Sequence, residues 1–391
     1  MQNIRSLFHL NPEITHLNHG SFGACPKPIF EDYQKWQLEL EKNTVDFFVR
    51  KGPELLYNSR RALGEFVGCE ADDLVYTMNP SYAINVIAKS FPLSQGDEIL
   101  ATDLEYGAMD RTWNYYCKKV GAKYVQQKIT LPATSKEQIV EDFFAGLTSN
   151  TKAVFISHIT SSTGLILPAA EICHRAKELG LITIVDGAHV PGHIPLDLKT
   201  LQAVIYTGAC HKWMMTPKGS SFLYVKKEYQ ALFDPLVISW GFESQYPSDS
   251  KFIDYHQLQG TRDFSAFLTI PKALEFREEF DWEDISKKAR SCCISNAEKF
   301  AEAANGKLVC PPSTDFLGQM CSLQIDCPDF VKLGSLLYNT YKIEIPVFEH
   351  GNDVYIRYSV QGYNSQDDLD KLFDSLYDIR KTTDLLGDFT N

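Results

Sequence analysis

Two short stretches hold residue types whose spacing could do chemistry together. Val185-Asp186-Gly187-Ala188-His189 closes a β-branched run that begins at Ile182, and Thr207-Gly208-Ala209-Cys210-His211-Lys212-Trp213 closes the next such run. Open α/β sheets bind ligands outside the carboxyl ends of their strands, so an Asp past one strand and a Lys past the next would share one cleft. Taken singly, Asp186 reads equally well as a capping carboxylate and Lys212 as a surface charge. Lys212, however, is flanked by His211, Trp213, Met214 and Met215, poor surroundings for a solvated ammonium. Burial lowers the pKa of a lysine, and the neutral amine is the form that attacks carbonyl carbon in Schiff-base chemistry. A carboxylate set against a ring nitrogen keeps that ring protonated and electron-withdrawing. A third stretch, Asn79-Pro80-Ser81-Tyr82, reads as a plain helix start, with Asn79 as cap and Pro80 in the first helical position.

The elements that must position these residues follow from the pattern beyond residue 72. Strands are expected at Leu74–Thr77, Ile99–Thr102, Lys123–Lys128, Ala153–Ser157, Ile182–Asp186, Ala203–Thr207 and Ser221–Val225. Helices are expected at Tyr82–Ser90, Gly107–Val120, Lys136–Leu147 and Ala169–Leu179. This alternation predicts an α/β fold with a mainly parallel, helix-covered sheet of seven strands. The link from Thr207 to Ser221 has no room for a long helix, which predicts one antiparallel strand. Beyond Thr261 the texture changes to a smaller α+β layer. It has helices at Ala266–Phe280, Trp282–Ala304, Phe330–Tyr341 and Gln366–Lys381, and strands at Ser322–Asp326 and Val354–Ser359.

Composition narrows the function. Hydrophobic residues are 44% and charged residues 23% of the 391, which suits a globular chain with a sizeable core and excludes disorder and coiled coil. With 38 basic against 50 acidic residues, the net charge of −12 repels nucleic acid and anionic membranes. No apolar run approaches the roughly 18 residues that span a bilayer. Met1 to Leu17 mixes Arg5, His9, Asn11 and Glu13 into its apolar residues, unlike a secretion signal. The ten cysteines form no CxxC pair and read as reduced core thiols of a cytoplasmic protein. His189 and His193 stand four apart, but Pro191 lies between them and no Cys or carboxylate cluster completes a set, so no metal is expected.

In this order, the residues resemble the class V aminotransferase and cysteine desulfurase group of fold type I enzymes, which work with pyridoxal 5'-phosphate. The resemblance runs from Leu17-Asn18-His19-Gly20-Ser21-Phe22-Gly23 to Ile356-Arg357-Tyr358-Ser359. The opening Asn18-His19-Gly20-Ser21, Leu104-Glu105-Tyr106-Gly107-Ala108, and His211-Lys212-Trp213 followed by Pro217-Lys218-Gly219 are most similar to the isopenicillin N epimerase branch, whose relatives include C–S lyases. The resemblance implies a cofactor-binding large domain over 18–262 and a small domain over 263–391 joined by 1–17.

By the same resemblance, Lys212 is the cofactor-bearing lysine, Asp186 the partner of the pyridine nitrogen and His189 a donor to the cofactor's phenolate oxygen. Ser161 lies near that oxygen, and Tyr106 stacks on the ring. Ser81, Tyr82 and His211 serve the phosphate. Thr261 reaches across from a second subunit, which implies a homodimer with shared active sites. Arg357 matches the arginine that pairs with the substrate carboxylate, though alone it also reads as a surface arginine at a strand end. Asn18, His19 and Arg50 are expected near an amino-acid substrate, and Tyr106 or His19 could supply an acid opposite Lys212. The implied reaction is epimerisation through a carbanion at Cα. The alternatives are β-elimination from cysteine conjugates or from cysteine itself, and transamination. Persulfide-forming desulfurases carry a cysteine shortly before the carboxylate-binding arginine. Here residues 344–353 contain none.

Overall fold

The computed structural model describes residues 4–387. Seven strands make the central sheet: β1 (Leu74–Thr77), β2 (Glu98–Thr102), β3 (Lys123–Gln127), β4 (Thr151–Ser157), β5 (Ile182–Asp186), β6 (Ile205–Ala209) and β7 (Ser221–Val225). Their order is β1-β7-β6-β5-β4-β2-β3. Every neighbouring pair is parallel except those of β7, which runs antiparallel to both β1 and β6. That reversal is what the short link before Ser221 requires. Strand β6 begins at Ile205, paired with Ile184, two residues later than the apolar run suggests. Val204 is still leading in, its N–H spent on the Thr183 hydroxyl at 2.8 Å. The shift brings the end of the strand to Ala209, three residues before Lys212.

The helices between the strands stop where their caps dictate. Ser135 accepts the Gln138 N–H at 3.1 Å at the start of Lys136–Phe144, and Gly121, at φ 76°, ends Gly107–Val120 in the left-handed region that glycine tolerates best. Two helices expected beyond Thr261 are broken. Ala266–Phe280 is two pieces, Ser265–Leu268 and Ile270–Glu279, because Pro271 has no N–H to carry a helix across the joint. Trp282–Ala304 parts at Asn296, whose side-chain amide turns back to the Cys292 carbonyl at 2.9 Å and to Gln366 at 2.9 Å. Two long helices, Lys27–Lys42 and Gly52–Val67, precede the region in which the alternation becomes visible.

A second sheet is wholly antiparallel: β8 (Lys307–Leu308), β9 (Met320–Ile325), β10 (Val347–His350) and β11 (Asp353–Ser359), in the order β10-β11-β9-β8. Residues 15–23 run between the two sheets. Thr15 and His16 pair with Ile343 and Glu344, and the Leu17 carbonyl accepts the Ser359 N–H at 2.8 Å. At Gly23, φ is +70°, and a Cβ there would lie 2.1 Å from the His211 carbonyl oxygen and 2.9 Å from Lys212 Cα. Only glycine lets this segment seat so closely on the main chain of Lys212.

Candidate active site

The ends of β5 and β6 bring the first group together. Asp186 is the last residue of β5, buried, and its carboxylate accepts the Ala188 N–H at 2.9 Å. The loop after β5 carries His189, whose Nε2 lies 3.1 Å from Lys212 Nζ, while its Nδ1 faces the Trp213 indole N–H at 3.5 Å. The Lys212 amine is brought down to about 7, by burial first and by the Arg357 guanidinium second, with Asp186 opposing both. His189 is held well below its ordinary value by burial first, then by Lys212 and Arg357, so its ring is neutral. Burial raises Asp186, against the pull of the Ala188 N–H and of Lys212. No ion pair within 4.0 Å joins Asp186 to Lys212, so each keeps its head available within the cleft.

Arg357 enters from the second sheet, in the middle of β11. It is 3% exposed, and burial lowers it to about 10. Its Nη1 donates to the Ser161 carbonyl, its Nη2 to the Ser21 hydroxyl at 3.3 Å, and its Nε has no partner. The guanidinium lies 6.0 Å over the Phe348 ring. Among the described residues no carboxylate forms an ion pair with it. A buried guanidinium normally has an anion beside it, and the unpartnered Nε of this one is a donor still to be satisfied. Ser21, which helps to hold it, comes from the Asn18–Gly23 segment and also bonds Asn18 Oδ1 at 2.5 Å.

Other residues singled out in the sequence fall in less uniform places. Ser81 and Tyr82 open the helix Pro80–Ser90 beneath the Asn79 cap, which takes the Tyr82 N–H at 2.9 Å. The Tyr82 hydroxyl is buried without a partner. His211 turns Nδ1 to the Ser220 carbonyl at 3.1 Å, and burial pushes it down to about 4. Tyr106 stands half-exposed at the start of Gly107–Val120. Thr261 is exposed on the loop before Ser265–Leu268. Two residues expected near the substrate have partners within the chain. His19 is fully buried, its Nδ1 3.0 Å from the Tyr363 hydroxyl and its Nε2 3.0 Å from the Lys212 carbonyl and 3.2 Å from the Gln361 amide. Both nitrogens are spent, so the ring braces the Lys212 main chain instead of offering an acid to substrate. Arg50 lies on a π-helical turn at the surface, paired with Asp46 at 3.3 Å.

The profile of the class-V aminotransferase family matches residues 31–372. The chain belongs to that family. It is 30% identical over 392 residues to an isopenicillin N epimerase of Amycolatopsis lactamdurans, covering 97% of this chain and 98% of the other. It is 26% identical to a probable chloroplastic L-cysteine desulfhydrase of Arabidopsis thaliana, over 94% of this chain and 83% of that one. A cysteine desulfurase structure from Thermococcus onnurineus NA1 superposes with a TM-score of 0.83 over 97% of both chains at 19% identity, which bears on the fold alone.

Class-V enzymes depend on pyridoxal 5'-phosphate, and the residues of this chain fit it. A buried amine of lowered basicity can bond the aldehyde, and the carboxylate at the end of β5 can hold a ring nitrogen. Ser81 has an N–H that no preceding helical turn can use, at a helix start suited to phosphate. When bound, the group supplies an electron sink for the electrons of Cα. The fold also brings in residues that inspection of the sequence passed over. Glu105 is fully buried, receives the Thr102 and Ser157 hydroxyls at 2.6 Å each, and is pushed by burial to about 8, hence uncharged at neutral pH. Its place beside Tyr106 was the available signal. Ser21, Trp213 and Phe348 are the others; Ser21 and Trp213 lie inside quoted motifs, but nothing in a motif says what they touch.

One prediction concerns the amine itself. In protein stripped of cofactor, reductive methylation of Lys212 should titrate with a midpoint near 7, several units below a surface lysine. Because Arg357 contributes to the lowering, Arg357→Gln should move the midpoint upward. Peptide mass spectrometry across a pH series measures both. A wild-type midpoint near 10 would refute the description of the amine as desolvated.

Proposed function

We propose that this enzyme epimerises an amino acid, or a metabolite containing one, at its α-carbon. The observation that carries this reading is Arg357, a buried guanidinium that no carboxylate among the described residues pairs, together with a Lys212 amine set 3.1 Å from His189. Arg357 takes the substrate α-carboxylate in a forked, charge-assisted contact. Lys212, neutral near pH 7, removes the α-proton. Asp186 keeps the ring nitrogen of the cofactor protonated, and His189 donates to the ring oxygen, with Ser161 beside it. Tyr106 covers the ring, and Ser81, Tyr82 and His211 hold the phosphate. The names of relatives support epimerase chemistry first and C–S cleavage second.

A specific observation keeps C–S β-elimination as a second reading. Epimerisation returns a proton on the face opposite Lys212, and with His19 engaged, Tyr106 is the one acid named for that task. Elimination needs no such acid. The test is a substrate panel in deuterium oxide. The expected result is α-deuterated, stereochemically inverted product. Pyruvate with ammonia would transfer the enzyme to the lyases and a keto acid to the aminotransferases. Absence of α-exchange with every amino acid tried would overturn the reading.

The assembly we propose is a cytoplasmic homodimer with shared sites, Thr261 serving the partner subunit's phosphate. Support comes from a run of exposed apolar residues beside that loop, which includes Ile238, Trp240 at 88% and Tyr246 at 89% exposure. All ten cysteines are free. Among the described residues no helix is long and apolar enough to cross a membrane.

A further inference from the structure

We propose that Trp213 is a positioning residue that fixes the tautomer of His189, so that His189 presents a donor, Nε2–H, to Lys212 and to the cofactor oxygen. An indole N–H can only donate. Facing His189 Nδ1 at 3.5 Å, it makes that nitrogen the acceptor. A neutral imidazole carries its one proton on the other nitrogen, which here is Nε2, 3.1 Å from Lys212 Nζ. A neutral lysine amine has the lone pair to accept it.

The indole is held where this requires. His193 stacks on it with centroids 3.8 Å apart and planes at 18°, and His19 packs against it at 4.8 Å. The His193 ring is itself fixed. The Gln319 N–H donates to its Nε2 at 2.6 Å, so its Nδ1–H donates to the His189 carbonyl at 2.8 Å. His193 therefore grips the main chain of His189 while its face presses on the indole. Gly192, at φ +83°, permits the close approach: a Cβ there would lie 2.6 Å from the Trp213 carbonyl oxygen. The titratable and charged groups around His189 are Lys212, Arg357, His193 and His211, and the three histidines are all neutral by burial. None of the four supplies a carboxylate that could fix the His189 tautomer in place of the indole.

The inference rests on His189 and Lys212 being the cofactor-side pair, and the first measurement does not depend on that assignment. In the full chain labelled with ¹⁵N-histidine, His189 should show an unprotonated Nδ1 and a protonated Nε2. Trp213→Phe, which keeps an aromatic face for His193, should leave a mixture of the two tautomers. Site-specific replacement of the indole by benzothiophene removes the N–H at constant shape and should do the same, which covers the case in which Trp213→Phe fails to fold. With cofactor bound, either change should raise the pH midpoint of the visible absorption band by about one unit, because a weaker donor at the oxygen leaves the neighbouring nitrogen more basic. A wild-type His189 protonated at Nδ1, or a single Nε2–H tautomer that survives loss of the indole N–H, would overturn the proposal. A band midpoint unchanged in both variants would also overturn it. Absence of any band in the wild type, with the tautomer as expected, would instead refute the assignment of the pair.

Discussion

Lys212→Ala should abolish covalent attachment of pyridoxal phosphate and reduce α-proton exchange by roughly 10²–10⁴-fold or more from loss of the base alone. Among the described residues the amine is the one primary amino group within hydrogen-bond reach of His189, and its lowered pKa, about 7, leaves a large share of it uncharged at neutral pH. Borohydride should fix the cofactor to the wild-type chain at this residue and leave the variant unlabelled. The fold should survive, because the side chain forms no ion pair and the Lys212 carbonyl, which His19 contacts, is kept by alanine. A variant that still yields the borohydride-fixed adduct, or that exchanges α-protons at the wild-type rate, would remove Lys212 from the chemistry.

Arg357→Gln should separate function from stability. In function, losing a forked contact to a buried carboxylate typically costs about 2–5 kcal/mol, so kcat/KM should fall by roughly 30- to 5,000-fold. In stability, the protein loses no ion pair with any described residue; it gives up the hydrogen bonds to Ser161 and Ser21 and sheds the cost of burying an unpaired cation. The thermal midpoint should therefore hold or rise. Arg357→Lys keeps the charge and discards the fork, and should recover only a minor part of the activity. A large drop in thermal midpoint together with an unchanged KM for amino acid would make Arg357 a structural residue.

Much of this arrangement was legible in the amino-acid order, for identifiable reasons. Six of the seven strands of the central sheet announce themselves as short apolar runs, since they are buried along most of their length; the seventh, Lys123–Gln127, lies at the sheet edge, exposed and polar. Asp186, His189 and Lys212 follow from lying just past strand ends. The helix break at Pro271 could have been foreseen from the residue itself, whereas the break at Asn296 depends on Gln366, 70 positions later. The helices Lys27–Lys42 and Gly52–Val67 escaped notice because they lie outside the βα alternation. His19 shows where motif reading stops. Its type and position suggest a group for substrate, but its two nitrogens are claimed by Tyr363, Gln361 and the Lys212 carbonyl, partners hundreds of positions away. Arg50 has a local partner in Asp46, one turn earlier on an exposed helix.

The threading of residues 15–23 between the sheets bears on when the site can exist at all. This segment is synthesised early, yet its hydrogen-bonding partners are Ile343, Glu344 and Ser359, and its packing partner is the Lys212 loop. A ribosome that has released the whole central sheet has still not delivered β11, and so has delivered neither Arg357 nor the edge that holds Leu17. The central sheet can form first, since all of its strands lie within residues 74–225. The lysine loop stays unbraced until the last hundred residues arrive. Contacts of such long separation are slow to form, and a half-built cleft with a reactive amine is open to stray aldehydes in the meantime. Nascent chains arrested before residue 360 should accordingly contain a protease-resistant sheet and no capacity to retain the cofactor.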